Sequence, residues 1–280
     1  MKAASIRRMT IDDIALGLRL SRQAAWNQTQ ADWLRFLHFE PDGCFVAELD
    51  GCSVGTTTTC ILGQVAWIAM VLVDKDARRQ GIGTRLLRHA LDYLDGRQVP
   101  TVRLDATQAG RPVYKKLGFM AEYELARYEG VASRCTTPPI VTETTPGAYP
   151  NIVEFDKKMT GTDREKMLIK LFDEFPQDLR ILWRHGTIEG YAATRPGANA
   201  IQVGPCVATI DAGPALLGDA MNRCAGKPVF VDIPVGNAAA VKIAESSGLR
   251  IQRRFTRMYR GKRVSDTIEA LWASSSPEKG

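Results

Sequence analysis

The sequence predicts a mixed α/β protein built from two similar halves, each a central twisted mixed sheet flanked by helices. Three observations predict it. Strand and helix signals alternate along the chain. Each half holds one nearly continuous apolar strand, "QVAWIAMVLVD" and "AIQVGPCVA", as expected of strands buried on both faces. The order of elements in the first half largely recurs in the second.

The elements follow in order. "SIRRM" is a short strand. Thr10 then caps a helix, with Asp13 at the capping-box position. Ile11, Ile14, Ala15 and Leu18 give that helix one apolar face. "QADWLRFLHFE" is a second helical stretch, and "GCFVAELDGCSVGTTTTCIL" a hairpin turning at Asp-Gly. After the apolar strand, "GIGTRLLRHALDYL" is an amphipathic helix, "TVRLDAT" a strand, and "RPVYKKLGF" a short helix ended by Gly118. "MAEYELARYEG" closes the half as a strand.

In the second half, His185-Gly186 and Glu189-Gly190 answer Asp50-Gly51 and Val54-Gly55. "DAGPALLGDAMNRC" stands for the amphipathic helix, "KPVFVDIPV" for "VPTVRLDAT", and "AAAVKIAESSGL" for "GRPVYKKLGF". Tyr259-Arg260-Gly261 answers Tyr128-Glu129-Gly130, with the tails one residue out of register. Between the halves, "ASRCTTPPIVTETTPGAYPN" has the prolines and threonines of an extended linker, from which "PPIVTE" could add a strand to a sheet. The expected division is 1–130, a linker at 131–150, and 151–280.

Composition excludes several classes. The 280 residues are 45% hydrophobic and 24% charged, enough for one large or two ordinary cores. No apolar run reaches the roughly 18–20 residues that span a bilayer, so no membrane partner is expected. Arg7, Arg8, Asp12 and Asp13 interrupt the N-terminal stretch, which reads as mature protein rather than a leader. The six cysteines form no Cys-x-x-Cys pair and read as reduced thiols of a cytoplasmic protein. Three scattered histidines give no support for a metal site. A net charge of +6 suits an anionic ligand without naming it.

"VLVDKDARRQGIGTRLLRHALDYL" narrows the choice. Gly81 and Gly83 let the backbone approach a ligand. The unpaired amides that open the helix, Arg78 and Arg79 beside them, and the hydroxyl of Thr84 make a pyrophosphate cradle. A Walker loop is absent, and Leu86 stands where a dinucleotide fingerprint needs its third glycine.

What remains, Arg-x-x-Gly-x-Gly after a buried strand and before a helix, with "VYKKLGF" following the next strand, resembles the coenzyme A loop of the GNAT superfamily of N-acetyltransferases. The resemblance covers the first half. It implies acetyl-CoA as co-substrate, with no metal, held by Arg78, Arg79, Gln80, Gly81, Ile82, Gly83 and Thr84. It implies a splayed strand whose backbone at Val71, Leu72 and Val73 meets the pantetheine arm, with Val71 polarising the acyl carbonyl. It places Tyr114 near the sulfur as general acid. The family's asparagine, seven residues before this tyrosine, is Thr107 here, a departure at a pantetheine contact.

An acetyl transfer by direct attack needs a neutral amine, which is about one molecule in a thousand for an alkylammonium at pH 7. Glu48, Asp74 and Asp105 are the carboxylates expected near enough to act as base. Trp26, Asn27 and Trp33, over the first helices, are the expected acceptor-pocket residues with Asp105. The second half lacks the arginine pair, has Ala244 in place of Tyr114, and yet carries Asn237 where the asparagine belongs. It reads as a GNAT-like domain without coenzyme binding.

"RIQRRFTRMYRGKR" reads foremost as an exposed strand with salt bridges; holding an acidic substrate or nucleic acid are the other readings. The sequence thus points to an N-acetyltransferase acting on a small primary amine in a ternary complex. A non-catalytic acyl-CoA sensor, or an enzyme acting on protein or RNA, are the alternatives. Nucleic acid is not the expected partner, and a homodimer is compatible with the sequence.

Overall fold

The computed structural model describes residues 4–136 and 140–280. Residues 1–3 of the expected mature terminus, and Pro138 and Pro139 of the expected linker strand, lie outside the described residues. The first half runs β1 (Ser5–Arg8), α1 (Ile14–Gln23), α2 (Gln30–Phe39), β2 (Cys44–Leu49), β3 (Cys52–Leu62), β4 (Val65–Val73), α3 (Ile82–Gly96), β5 (Thr101–Thr107), α4 (Arg111–Lys116) and β6 (Met120–Val131). A short β7 (Thr142–Glu143) follows. The second half runs α5 (Tyr149–Thr160), α6 (Glu165–Glu174), β8 (Leu179–Arg184), β9 (Thr187–Arg195), β10 (Ile201–Ala208), α7 (Gly213–Arg223), β11 (Pro228–Pro234), α8 (Ala238–Ser246), β12 (Arg250–Gly261) and β13 (Leu271–Ala273).

Local chemistry sets these boundaries. The Thr10 amide donates to the Asp13 carboxylate at 2.8 Å, and Thr29 and Asp32 repeat the device at the start of α2. Asp50 and Gly51 both take left-handed backbone, as a two-residue hairpin turn requires; His185 and Gly186 do the same between β8 and β9. Along β4, Val65, Trp67 and Ala69 enter one core cluster, and Ala66 and Ile68 enter another. That alternation is what buries a strand on both faces. The first cluster joins α1, α2, α5 and α6, so helices of both halves share it. Helix α3 packs on the opposite face of the first half, and α7 packs with α8 in a third cluster.

The described strands form one thirteen-stranded mixed sheet, in the order β1-β2-β3-β4-β5-β12-β6-β11-β10-β9-β8-β7, with β13 on β10. The two mixed sheets are therefore continuous. Neither half closes its sheet with its own last strand. β12 lies antiparallel against β5, from Phe255 opposite Thr107 to Gly261 opposite Thr101. β6 lies antiparallel against β11, from Leu125 opposite Pro234 to Val131 opposite Pro228. The exchanged strands also pair with each other.

This overturns the reading of "RIQRRFTRMYRGKR" as an exposed strand, because β12 is central. Its Phe255, Arg257 and Met258 are buried. Each exchanged strand carries one arginine directly opposite an aspartate. Arg257 faces Asp105, donating from Nε and Nη2 at 2.9 Å each. Arg127 faces Asp232, donating from Nε and Nη2 at 2.8 Å each. Both guanidiniums are about 97% buried, with side-chain exposures of 3% and 4%. Such a pair adds little net stability over an apolar one, but removing one partner costs about 3–5 kcal/mol. Asp232→Ala should therefore lower unfolding stability by about that much, read as a shift in the urea midpoint. A fall under about 1 kcal/mol would show that Arg127 finds water instead.

Candidate functional site

The site begins where β4 and β5 part. Their parallel ladder runs only from Val65 opposite Thr101 to Trp67 opposite Arg103. Beyond it β4 bulges. Thr56 pairs with Leu72 and Thr58 with Ala69, leaving two β4 residues opposite Thr57, and Met70 has φ +50°. A bulge bends its strand and ends pairing. The edge of Val71, Leu72 and Val73 that would face β5 is thereby unpaired with it.

At the end of β4, Asp74 caps a short 3-10 turn, its carboxylate accepting from the Asp76 amide at 3.2 Å. The exposed loop from Arg78 to Gly81 follows. Gly81 has φ +76°, and the first backbone bond of α3 runs from the Arg85 amide to the Gly81 carbonyl. The amides before Arg85 thus open α3 with its positive dipole end. Gln80, Ile82, Gly83 and Thr84 sit in this turn, with the Ile82 side chain buried as an anchor. Arg78 spends Nε on the Val73 carbonyl at 3.1 Å, which fixes the loop to the strand end.

The parted strands open into a small cavity of about 90 Å³. Val71, Thr107 and Tyr114 line one end. Trp26, Gln28, Arg253 and Glu278 line it as well, together with Asp105 and Arg127. Burial pushes the Tyr114 hydroxyl up to about 12, so it stays protonated at neutral pH. Burial also pushes the Asp105 carboxyl up, against the pull of Arg257. For Glu278, burial opposes the charge, but Lys279 and Arg195 outweigh it and hold its carboxyl low.

Among the expected residues, Trp26, Val71, Asp105, Thr107 and Tyr114 line this cavity; others do not. Asn27 is buried elsewhere, its amide donating to the Ala200 carbonyl and its oxygen accepting from the Asn199 and Ala200 amides. It clamps the β9–β10 turn instead of facing the cavity. Trp33 is fully buried in the core against Gly17. Glu48 is held by Arg7 at 2.7 Å, and Asp74 by Arg19, both away from the cavity walls. Asp105 lines the cavity with both oxygens committed to Arg257. The Thr107 hydroxyl oxygen accepts from the Gly110 amide at 3.2 Å.

Sequence reasoning missed Gln28, Arg127, Pro277 and Glu278, and met Arg253 and Phe255 only within the basic stretch for which an acidic substrate was one of the readings. The run "SSSPEKG" gave no signal, since a polar tail ordinarily stays in water. Here Glu278 and Lys279 are buried with Asp32 and Arg195, so the end of the chain floors the cavity.

Comparison with known proteins agrees with this geometry. The model of the acetyltransferase (GNAT) family matches residues 12–119, and that of an acetyltransferase (GNAT) domain matches residues 152–273. The chain belongs to the GNAT acetyltransferase family. It is 24% identical over 259 residues to holothin acyltransferase of Pseudoalteromonas sp. (strain SANK 73390), covering 91% of this chain and 87% of that protein. A crystal structure from Pyrococcus horikoshii, of a protein assigned as an acetyltransferase, is 26% identical. It superposes with a TM-score of 0.83 over all of this chain and 97% of that one. A tandem GNAT protein from the clavulanic acid biosynthesis pathway shares the fold, at 13% identity and a TM-score of 0.64, over 94% of this chain and 100% of that one.

Set side by side, the two GNAT units differ at the cleft. In the second, the parallel ladder of β10 and β11 also stops early, at Val203 opposite Val231. Here the gap is filled by the chain itself. β13 pairs with β10 at Cys206–Ala273 and Val207–Leu271, and the Ser274 amide donates to the Asp232 carbonyl of β11 at 2.8 Å. Trp272 then covers the start of α7. A Cβ on Gly213 would lie 1.7 Å from its ring, so only glycine fits. Asn237 caps α8 and donates to the carbonyls of Glu269 and Leu271 at 3.3 and 3.1 Å. The asparagine that fits the family pattern therefore holds the chain's own strand in the second cleft.

Asn237→Ala should loosen that strand. Amides of residues 271–274 should lose protection from hydrogen exchange while those of β4 keep theirs. Unchanged protection at 271–274 would show that Trp272 alone secures the plug.

Proposed function

We propose that the protein moves an acetyl group from acetyl-CoA to a primary amine of a small molecule, by direct attack in a ternary complex. The observation that carries this reading is the open cleft between β4 and β5, which lies between a helix-opening turn and a cavity lined by Tyr114. Acetyl-CoA, as substrate, supplies the activated acetyl group. The turn from Arg78 to Thr84 fits its pyrophosphate, by charge and by free amides. The unpaired edge at Val71–Val73 fits an amide-bearing arm, with the Val71 amide as the group that polarises the acyl carbonyl in this reading.

The attacking nitrogen forms the new N–C bond as the C–S bond breaks. Tyr114, with its pKa at about 12, is a weaker acid than a thiol of ordinary pKa near 8.5. Complete proton transfer to sulfur would be uphill by roughly 5 kcal/mol. Its role is therefore a hydrogen bond to the departing sulfur, while the proton released by the amine restores neutrality. Asp105 is tied to Arg257 and serves as a wall charge. Nothing in this scheme requires the second half to bind coenzyme. Its part is to supply β12 and the chain end that complete the acceptor side.

Tyr114→Phe should lower kcat about a hundredfold and leave the KM for acetyl-CoA within a few fold. The wild-type kcat/KM should rise with pH up to the amine's own pKa, near 10.4 for an alkylamine, with no downturn below it from Tyr114, which ionises only near 12. Steady-state kinetics across an amine panel read both. A fully active Tyr114→Phe protein, or no acetylation of any amine, would contradict the proposal.

A further inference from the structure

Arg253 stands apart from the other buried-strand arginines. Arg103, Arg127 and Arg257 each meet a carboxylate at 2.7–2.9 Å. Arg253 is half-buried, and among the described residues its one recorded hydrogen bond runs from Nε to Gln252 Oε1 at 2.9 Å. No carboxylate pairs with it among those residues. Burial and the neighbouring Arg127 both oppose its charge, with Asp232 and Glu129 only partly offsetting them. Asp232 is committed to Arg127, and Glu129 accepts from Gln252 at 2.5 Å.

The position matters as much as the charge. Arg253 lines the cavity and also the adjoining trench between the β5–α4 turn and β12. Arg111 and Arg254 line the same trench. Neither makes an ion pair among the described residues, and the buried Nε of Arg111 has no partner there. Glu124, exposed on that wall, is its one carboxylate and pairs with none of the three among the described residues. The trench is thus a cationic approach to the reacting end. It is separate from the coenzyme turn, because β5 stands between β4 and β12. Inside the cavity, Gln28 is 7% exposed; its amide nitrogen donates to Glu278 at 3.2 Å, while its Oε1 has no partner among the described residues. A buried acceptor without a donor calls for one from a ligand.

We infer that the acceptor amine carries an anionic group, a carboxylate or a phosphate, which Arg253 binds at the junction of cavity and trench. This rests on the reading of the protein as an amine acetyltransferase. A planar guanidinium offers a two-pronged match to either oxyanion. Arg111 and Arg254 add long-range attraction along the trench. Gln28 Oε1 accepts a hydrogen bond from an N–H or O–H on the same molecule, which turns its reactive nitrogen toward Val71 and Tyr114.

The test compares matched acceptors. Amino acids are set against their amides, and aminoalkyl phosphates against the corresponding amino alcohols, with wild type, Arg253→Gln and Arg253→Lys. In wild type the acids should have at least tenfold higher kcat/KM, carried by KM. Arg253→Gln should bring that ratio to about one, and Arg253→Lys should recover part of it. Whichever acid shows the preference identifies the oxyanion. Calorimetric titration with inorganic phosphate and with acetate, in the presence of coenzyme A, gives a readout without turnover. Anion binding lost in Arg253→Gln, with no amine acetylated, would support the anion site and overturn the amine reading. Acetylation indifferent to acceptor charge and to Arg253→Gln would overturn the anion site and leave the amine reading standing. Anion binding equal in wild type and Arg253→Gln would also overturn it.

Discussion

The exchange of the last strands, held by Arg257 on Asp105 and Arg127 on Asp232, is the constraint on which the rest of the molecule depends. Cross-strand neighbours are the unit of sheet stabilisation. Here the two central neighbours are buried ion pairs related by the internal similarity of the halves. A buried arginine without its carboxylate is costly, so each strand is specified for the other half's edge. With β12 beside β5, Phe255 and Arg253 become walls of the first half's cavity. The chain leaving β12 is then placed to run back along the second half.

That return path explains how one fold serves two ends. Both halves part their two parallel strands after a short ladder, which leaves backbone groups that must find partners. The second half satisfies them with β13, Trp272 and the Asn237 clamp, and its cleft is closed from within. In the first half, among the described residues, the edge at Val71–Val73 stays unpaired with β5. The last residues then cross to the first cavity, where Glu278 joins its floor and Lys279 meets Asp32. Closing one cleft and finishing the other are done by the same nineteen residues after β12.

Much of this was legible in the sequence. Elements, hairpins and caps follow from period, Asp-Gly and His-Gly turns, and Thr10–Asp13, all local rules. The strand–turn–helix around Gly81 was legible because glycine there permits the left-handed backbone that opens α3. The exchange was not, because strands buried on both faces lack the alternation that pins register and partner. The basic residues of β12 looked solvated for the same reason: an ion pair between strands far apart in sequence leaves no trace in either one. Asn27 and Trp33 sat in the right segment, but helix geometry turns Trp33 into the core, and the β9–β10 turn consumes Asn27. The buried chain end violates the expectation that polar tails stay wet, and only the charges waiting for it, Arg195 and Asp32, make its position stable.

The central claim is that one cleft is open and its counterpart is filled. Calorimetric titration of the whole protein with acetyl-CoA, beside Arg79→Glu, tests it most directly. The account predicts one site per chain, weakened at least about tenfold by Arg79→Glu, a change of about 1.4 kcal/mol. Two sites per chain, or a single site indifferent to Arg79→Glu, would contradict it.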